Sequence, residues 1–290
     1  MKEHGQTRRG THFMSTYQQI KELGDDQFVQ DWRQWHQDKD ERFASEYGFL
    51  SITSLNWLKD GNTIEVSDFP GSWSQAGDTV TYTPAAGKVV TVNNLPLGGP
   101  RGFITEPAED ANVVVVVYRD VHAELIKRLG GPNQYAVRVR NPQAAKRVNF
   151  KGTPAFEPSK RWVVPATYKP YTEVSDVTVD ASLDYLNHVE QAIGELEFEL
   201  EGKPQRLVVF QGHGDGQGLV LFRDGTSGKE SYGGARVLTF DVSEPESIDH
   251  IDFNRATNLP CAYSEYATCP LAPASNRLDV AVTAGEKLPA

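Results

Sequence analysis

The chain has 290 residues, 29 basic against 39 acidic side chains, a formal charge of -10 and 39% hydrophobic residues. A body of this size buries a core without staples, and its negative field repels phosphate backbones and anionic lipid headgroups. No nucleic-acid partner and no membrane partner is therefore expected. No apolar run approaches bilayer-spanning length, and the basic N-terminus lacks the apolar stretch of a secretory signal. With two cysteines, the expected compartment is the cytoplasm, where thiols stay reduced.

In chain order, residues 1–14 are expected to be a disordered extension, with Met14-Ser15-Thr16 as an alternative start. Residues 15–46 form the helical segment. Tyr17, Ile20, Leu23, Phe28, Trp32, Trp35 and Phe43 recur at helical spacing, and Gly24 marks a break. Trp32 and Trp35 are read as the docking face. The charges from Asp38 to Arg42 are read as a solvated face.

After Tyr47 the period becomes that of strands. Phe49–Ile52, Leu55–Leu58, Thr79–Tyr82, Val89–Val92 and Val113–Tyr118 are short β runs divided by turns, with Leu125–Leu129 ambiguous between strand and helix. Tyr135–Arg140 alternates cleanly and places Arg138 and Arg140 on one face. Val174–Val179, Leu196–Leu200, Leu207–Phe210 and Leu219–Phe222 continue the pattern, and the glycine-rich loop Gly212–Gly218 reads as a hairpin tip. These gaps leave no room for crossover helices, so the sheets are expected to be antiparallel. The expectation is a mainly β (α+β) protein, a sandwich or barrel-like body with an N-terminal helical segment. Its first β subdomain spans 47–155 and its second 156–290.

The densest polar stretch runs from Ser231 to Lys287 and holds Cys261 and Cys269, Asn254-Arg255, Asn276-Arg277 and a Gly-Gly turn ending at Arg236. Guanidinium forks bind carboxylate or phosphate bidentately, and asparagine adds a neutral donor. Arg236, Arg255, Arg277, Tyr232, Asn254 and Asn276 are thus the expected ligand-binding set, for a small anionic or polar molecule. The competing account has the arginines paired with Asp224, Asp252 and Glu286 to pin loops. Arg138 and Arg140 are further candidates for the anion pocket.

The two cysteines allow a disulfide, a zinc site or a nucleophile. Their separation of eight residues exceeds the usual gap of about two to four residues in zinc knuckles, so no metal and no cofactor is expected. A hydrolase using Cys261 with His213 as base, or a carboxylate such as Asp252, is the enzymatic alternative. A structural or interaction protein without a small-molecule site is the other alternative. Oligomeric state is not encoded in any motif.

The chain resembles the bacterial and archaeal family known as domain of unknown function 1684. The resemblance rests on Gly48–Thr53 with Trp57-Leu58 and Gly61–Ile64, and on Val137–Arg140 with Phe150 and Gly152. It continues through Thr226–Gly228, Tyr232–Gly234, Arg236, Asp252–Ala256, Pro260–Ala262, Tyr266–Leu271, Asn276–Leu278 and Ala284–Lys287. Departures at Ser231, Ala235, Thr257, Leu259, Glu265 and Ser275 are mostly mild, with proline lost at Leu259 and Glu265. The resemblance implies no reaction or substrate.

Overall fold

The computed structural model describes residues 15–104, 114–128 and 131–289. The expected extension 1–14 lies outside the described residues. Helix α1 (Thr16–Glu22) opens with a capping box between Ser15 and Gln18, and α2 (Asp25–Phe43) starts after Gly24. The glycine expected to break the helical run thus separates two helices. Phe28 and Trp32, one turn apart, are the buried face of α2.

The strands that follow are β1 (Ile52–Trp57), β2 (Thr63–Val66), β3 (Phe69–Ala76), β4 (Thr79–Thr83), β5 (Thr91–Val92) and β6 (Leu95–Pro96). Next come β7 (Arg101–Ile104), β8 (Val114–Tyr118), β9 (Val121–Lys127) and β10 (Tyr135–Arg140). They build a six-stranded sheet ordered β1-β10-β9-β8-β5-β6 and a four-stranded sheet ordered β2-β3-β4-β7. A short helix α3 (Ala145–Val148) follows.

The long hairpin β11 (Val163–Asp180) and β12 (Asn187–Leu200) then dominates. It is joined by β13 (Lys203–Gln211), β14 (Gln217–Phe222), β15 (Arg236–Asp241), β16 (His250–Asp252) and β17 (Thr257–Asn258). These seven are ordered β16-β11-β12-β13-β14-β15-β17. Strand pairing is antiparallel throughout the described residues.

The protein is therefore mainly β with an N-terminal helical segment. One buried cluster draws on residues 58–139, centred on Trp73, Tyr82 and Tyr135, and another on residues 162–284, centred on Leu196, Phe222 and Phe253. Among the described residues no helix is long and apolar enough to cross a membrane.

Local differences from the sequence reading have identifiable causes. Phe49–Ser51 is a single 3₁₀ turn, with Ser51 Oγ donating to Gly48 O, and the strand begins only at Ile52. Leu125 and its neighbours belong to β9, paired with β8 and β10. Trp57 is only partly buried and meets Tyr185 edge-on.

Candidate functional site

Three chain segments converge on the C-terminal half of α2. His36, Lys39 and Asp40 stand at i, i+3 and i+4 and so share one helix face. The His36 ring stacks on Trp32 with centroids 4.8 Å apart, and the Trp32 indole donates to Asn254 O at 2.6 Å. The helix is therefore fixed against the turn that carries Asn254 and Arg255.

The second segment is the loop after α3. Gly152 has φ of +98°, and a Cβ there would lie 3.1 Å from an Asp40 carboxylate oxygen. A glycine at this point lets the loop close over the helix. Thr153 N then donates to Asp40 Oδ2 at 2.9 Å, and its hydroxyl donates to Asp40 Oδ1 at 3.0 Å. The same hydroxyl lies 2.8 Å from the Tyr263 hydroxyl.

The third segment is the C-terminal strap. Gly285 has φ of +73°, and a Cβ there would sit 2.5 Å from Ala256 O. That conformation turns the Glu286 side chain inward, where it is 1% exposed. Its Oε2 accepts from Asn258 N at 2.6 Å and from the Tyr263 hydroxyl at 3.4 Å. Its Oε1 accepts from Lys39 Nζ at 2.5 Å. Lys39 Nζ also lies 3.3 Å from Asp40 Oδ1, over the faces of Phe43 and Tyr263. His36 Nε2 stands 3.3 Å from Glu286 Oε1 without the alignment of a hydrogen bond. Burial first, then the Glu286 charge, pushes the Tyr263 phenol well up, so it remains a donor.

His36, Asp40 and Thr153 open onto a cleft of about 660 Å³ walled by Trp32 and Phe150. One ligand atom each from His36, Asp40 and Glu286 lies within 4.8 Å of the others. That donor set suits a cation, but the Lys39 ammonium already bridges both carboxylates. The charges from Asp38 to Arg42 are therefore not one solvated face. Lys39 and Asp40 turn inward, while Glu41 and Arg42 stay exposed. The sequence signal was their helical register with His36 and Trp32.

The expected ligand-binding residues take different places. Arg236 is 1% exposed, with its terminal nitrogens on Asp224, Ala284 O and Val282 O. The Asn254 side chain accepts from Ser159 N at 2.9 Å and donates to Ser159 O at 3.0 Å. Asn276 ties β13 to β14, accepting from Val208 N and donating to Val208 O and Leu221 O. All three act as interior struts. Arg277 is exposed, and its backbone makes an isolated β-bridge with Arg223.

Arg255 differs from these. Half exposed, it lies over the Trp35 ring at 5.1 Å and 3.5 Å from Asp252, and lines a neighbouring cleft of about 520 Å³. Arg138 and Arg140 share Glu124, each Nε at 2.7 Å.

Tyr232 belongs with the cysteines, beside Cys261. Both cysteines are free thiols. His213 is exposed on the tip between β13 and β14. Cys261 lies near Cys269, Tyr232 and Ser182. Asp252 caps the Asn254 turn, accepting from its backbone and side-chain nitrogens at 3.0 and 2.7 Å.

Fold and site thus define a mainly β protein whose helical segment and C-terminal strap bring the buried Glu286 together with partly buried His36, Lys39 and Asp40. The chain belongs to the family described as Protein of unknown function (DUF1684), whose model matches residues 148–287. The earlier motifs from Gly48 to Arg140 precede that match. The chain is also similar to an uncharacterized protein of Haloarcula marismortui solved by solution NMR. That pair shares 32% identity over 49% of this chain and 79% of the other, with a TM-score of 0.41. No curated protein matches the chain.

Proposed function

We propose that the protein binds a small polar molecule in the cleft over α2, with His36 and Asp40 as its hydrogen-bonding and acid–base groups. The supporting observation is that His36 and Asp40, which line the cleft, are grouped with the buried Glu286 from the distant C-terminal strap. Docking a helix needs apolar contact. Burying charge costs free energy, and such clusters concentrate at functional sites.

Within the cluster the two carboxylates outnumber the one ammonium, while Arg33, Glu41 and Lys151 also line the cleft. A ligand carrying a hydrogen-bond donor or a cationic group fits that balance. A second reading retains an anionic ligand, on the strength of Arg255 over Trp35 in the neighbouring cleft.

Tryptophan fluorescence titration tests both, since Trp32 borders both clefts. Amines and polyols are expected to perturb the wild type and to lose their effect in His36→Gln. Carboxylates and phosphates silenced by Arg255→Gln instead would support the second reading. No saturable response to either class would overturn both.

A further inference from the structure

The chain's only two cysteines form a second chemical cluster, separate from the cleft. Cys261 lies in the 3₁₀ turn Pro260–Ala262 and is partly exposed, whereas Cys269 is 8% exposed. Ser182 fixes the backbone of Cys269 from both sides. Ser182 Oγ accepts from Cys269 N at 3.1 Å, and Ser182 N donates to Cys269 O at 2.9 Å. The Pro260 turn is closed by Ala262 N on Leu259 O at 2.9 Å and Ser264 N on Pro260 O at 3.1 Å. The two side chains meet in one small apolar cluster with Leu221, Ala235, Leu259 and Ala267. There Cys269 is a buried member of the cluster and Cys261 packs against it, with Tyr232 beside Cys261.

We propose that Cys261 and Cys269 form a redox-active dithiol, a site of reversible oxidation by hydroperoxides in which Cys261 is the attacking sulfur and Cys269 the resolving one. Accessibility assigns the roles, because an oxidant reaches the partly exposed sulfur first. In the first step the Cys261 thiolate attacks the outer peroxide oxygen. An S–O bond forms, the O–O bond breaks, and the alcohol leaves after taking up a proton, so the sulfur becomes a sulfenic acid. In the second step Cys269 sulfur attacks Cys261 sulfur. The S–S bond forms, the S–O bond breaks, and the hydroxyl leaves as water with the Cys269 proton. Cys261 and Cys269 together give up two electrons, and the peroxide takes them.

The electrostatics agree with this assignment. The hydrogen bond from Cys269, followed by that from Tyr232, outweighs burial and lowers Cys261 to about 7. The same hydrogen bond, with burial, pushes Cys269 well up. Tyr232, Cys269 and, acting on Cys269, the Arg128 guanidinium are the titratable and charged groups that shape the pair.

The test treats the native full-length protein with hydrogen peroxide and maps the tryptic peptide Ala256–Arg277, which holds both cysteines. The expected wild-type product is that peptide short of two hydrogens, restored by a dithiol reductant. In Cys269→Ser, Cys261 is expected to accumulate as sulfenic acid and be captured by dimedone. In Cys261→Ser, the remaining thiol is expected to react more than about tenfold more slowly. Oxidation only after unfolding in urea, disulfides only between molecules, or dimedone capture at Cys269 would each overturn the proposal. Because the wild-type peptide alone distinguishes these results, misfolding of either variant leaves the test decisive.

Discussion

Replacing Arg236 by methionine tests whether this arginine is a strut. Its guanidinium and the Asp224 carboxylate are 1% and 0% exposed, and two backbone carbonyls of the C-terminal strap, Val282 and Ala284, accept from the same group. Methionine fills most of the volume but removes all three donors. Asp224 keeps its bonds from Thr226 N and Oγ1 at 2.5 and 2.6 Å, but its charge loses the only buried cation beside it among the described residues. Breaking a buried pair from one side costs about 3–5 kcal/mol. For a chain of this length each kcal/mol lowers Tm by roughly 2–4 °C, so a fall of about 6–20 °C is expected by differential scanning fluorimetry. Arg236→Met combined with Asp224→Leu, which removes the stranded charge, is expected to recover part of that loss. A single variant melting within about 2 °C of wild type would refute the reasoning, as would a double variant less stable than either single one.

Lys39→Met strands Glu286 in the same way, and urea unfolding is expected to show a loss of about 3–5 kcal/mol; an unchanged midpoint would place Glu286 in contact with water. Gly285→Ala meets both positive φ and the Ala256 carbonyl, whereas Gly202 has similar φ and nothing within 4 Å. Gly202→Ala is therefore expected to cost about 1–2 kcal/mol and Gly285→Ala distinctly more; equal melting temperatures would contradict this. Asp249 is raised by burial but lowered overall by His250, the backbone of Tyr17 and Ser15. Its folded value lies below its unfolded one, so its contribution is fully present above the unfolded value of about 3.9 and is lost as pH falls through the folded value. Amide protection factors at α1, which Asp249 holds through Tyr17 N at 3.0 Å, are expected to fall over that acidic window and to stay constant above it.

Local periodicity and turn chemistry made much of the fold legible in the sequence. The apolar residues from Tyr17 to Phe43 with Gly24 between them give two helices, and the strand runs after Tyr47 give antiparallel sheets, because each element is set by side chains near in sequence. The Ser231–Lys287 stretch marks the strap that carries Glu286 and both cysteines, and composition alone singled it out. Tertiary structure decided what those residues do. Arg236 and Asn276 look like ligand forks in sequence but satisfy buried carbonyls and a carboxylate, since an interior arginine or asparagine must find partners wherever the chain places it. Lys39 and Asp40 look solvated until Gly152 and Gly285 bring two distant loops over α2. Cys261 and Cys269, too far apart in sequence for a zinc knuckle, share one apolar cluster, with Ser182 on a different loop fixing the backbone of the second. Helical and strand periods are written within one turn or one pleat. A buried charge cluster depends on long-range closure, which no local pattern records.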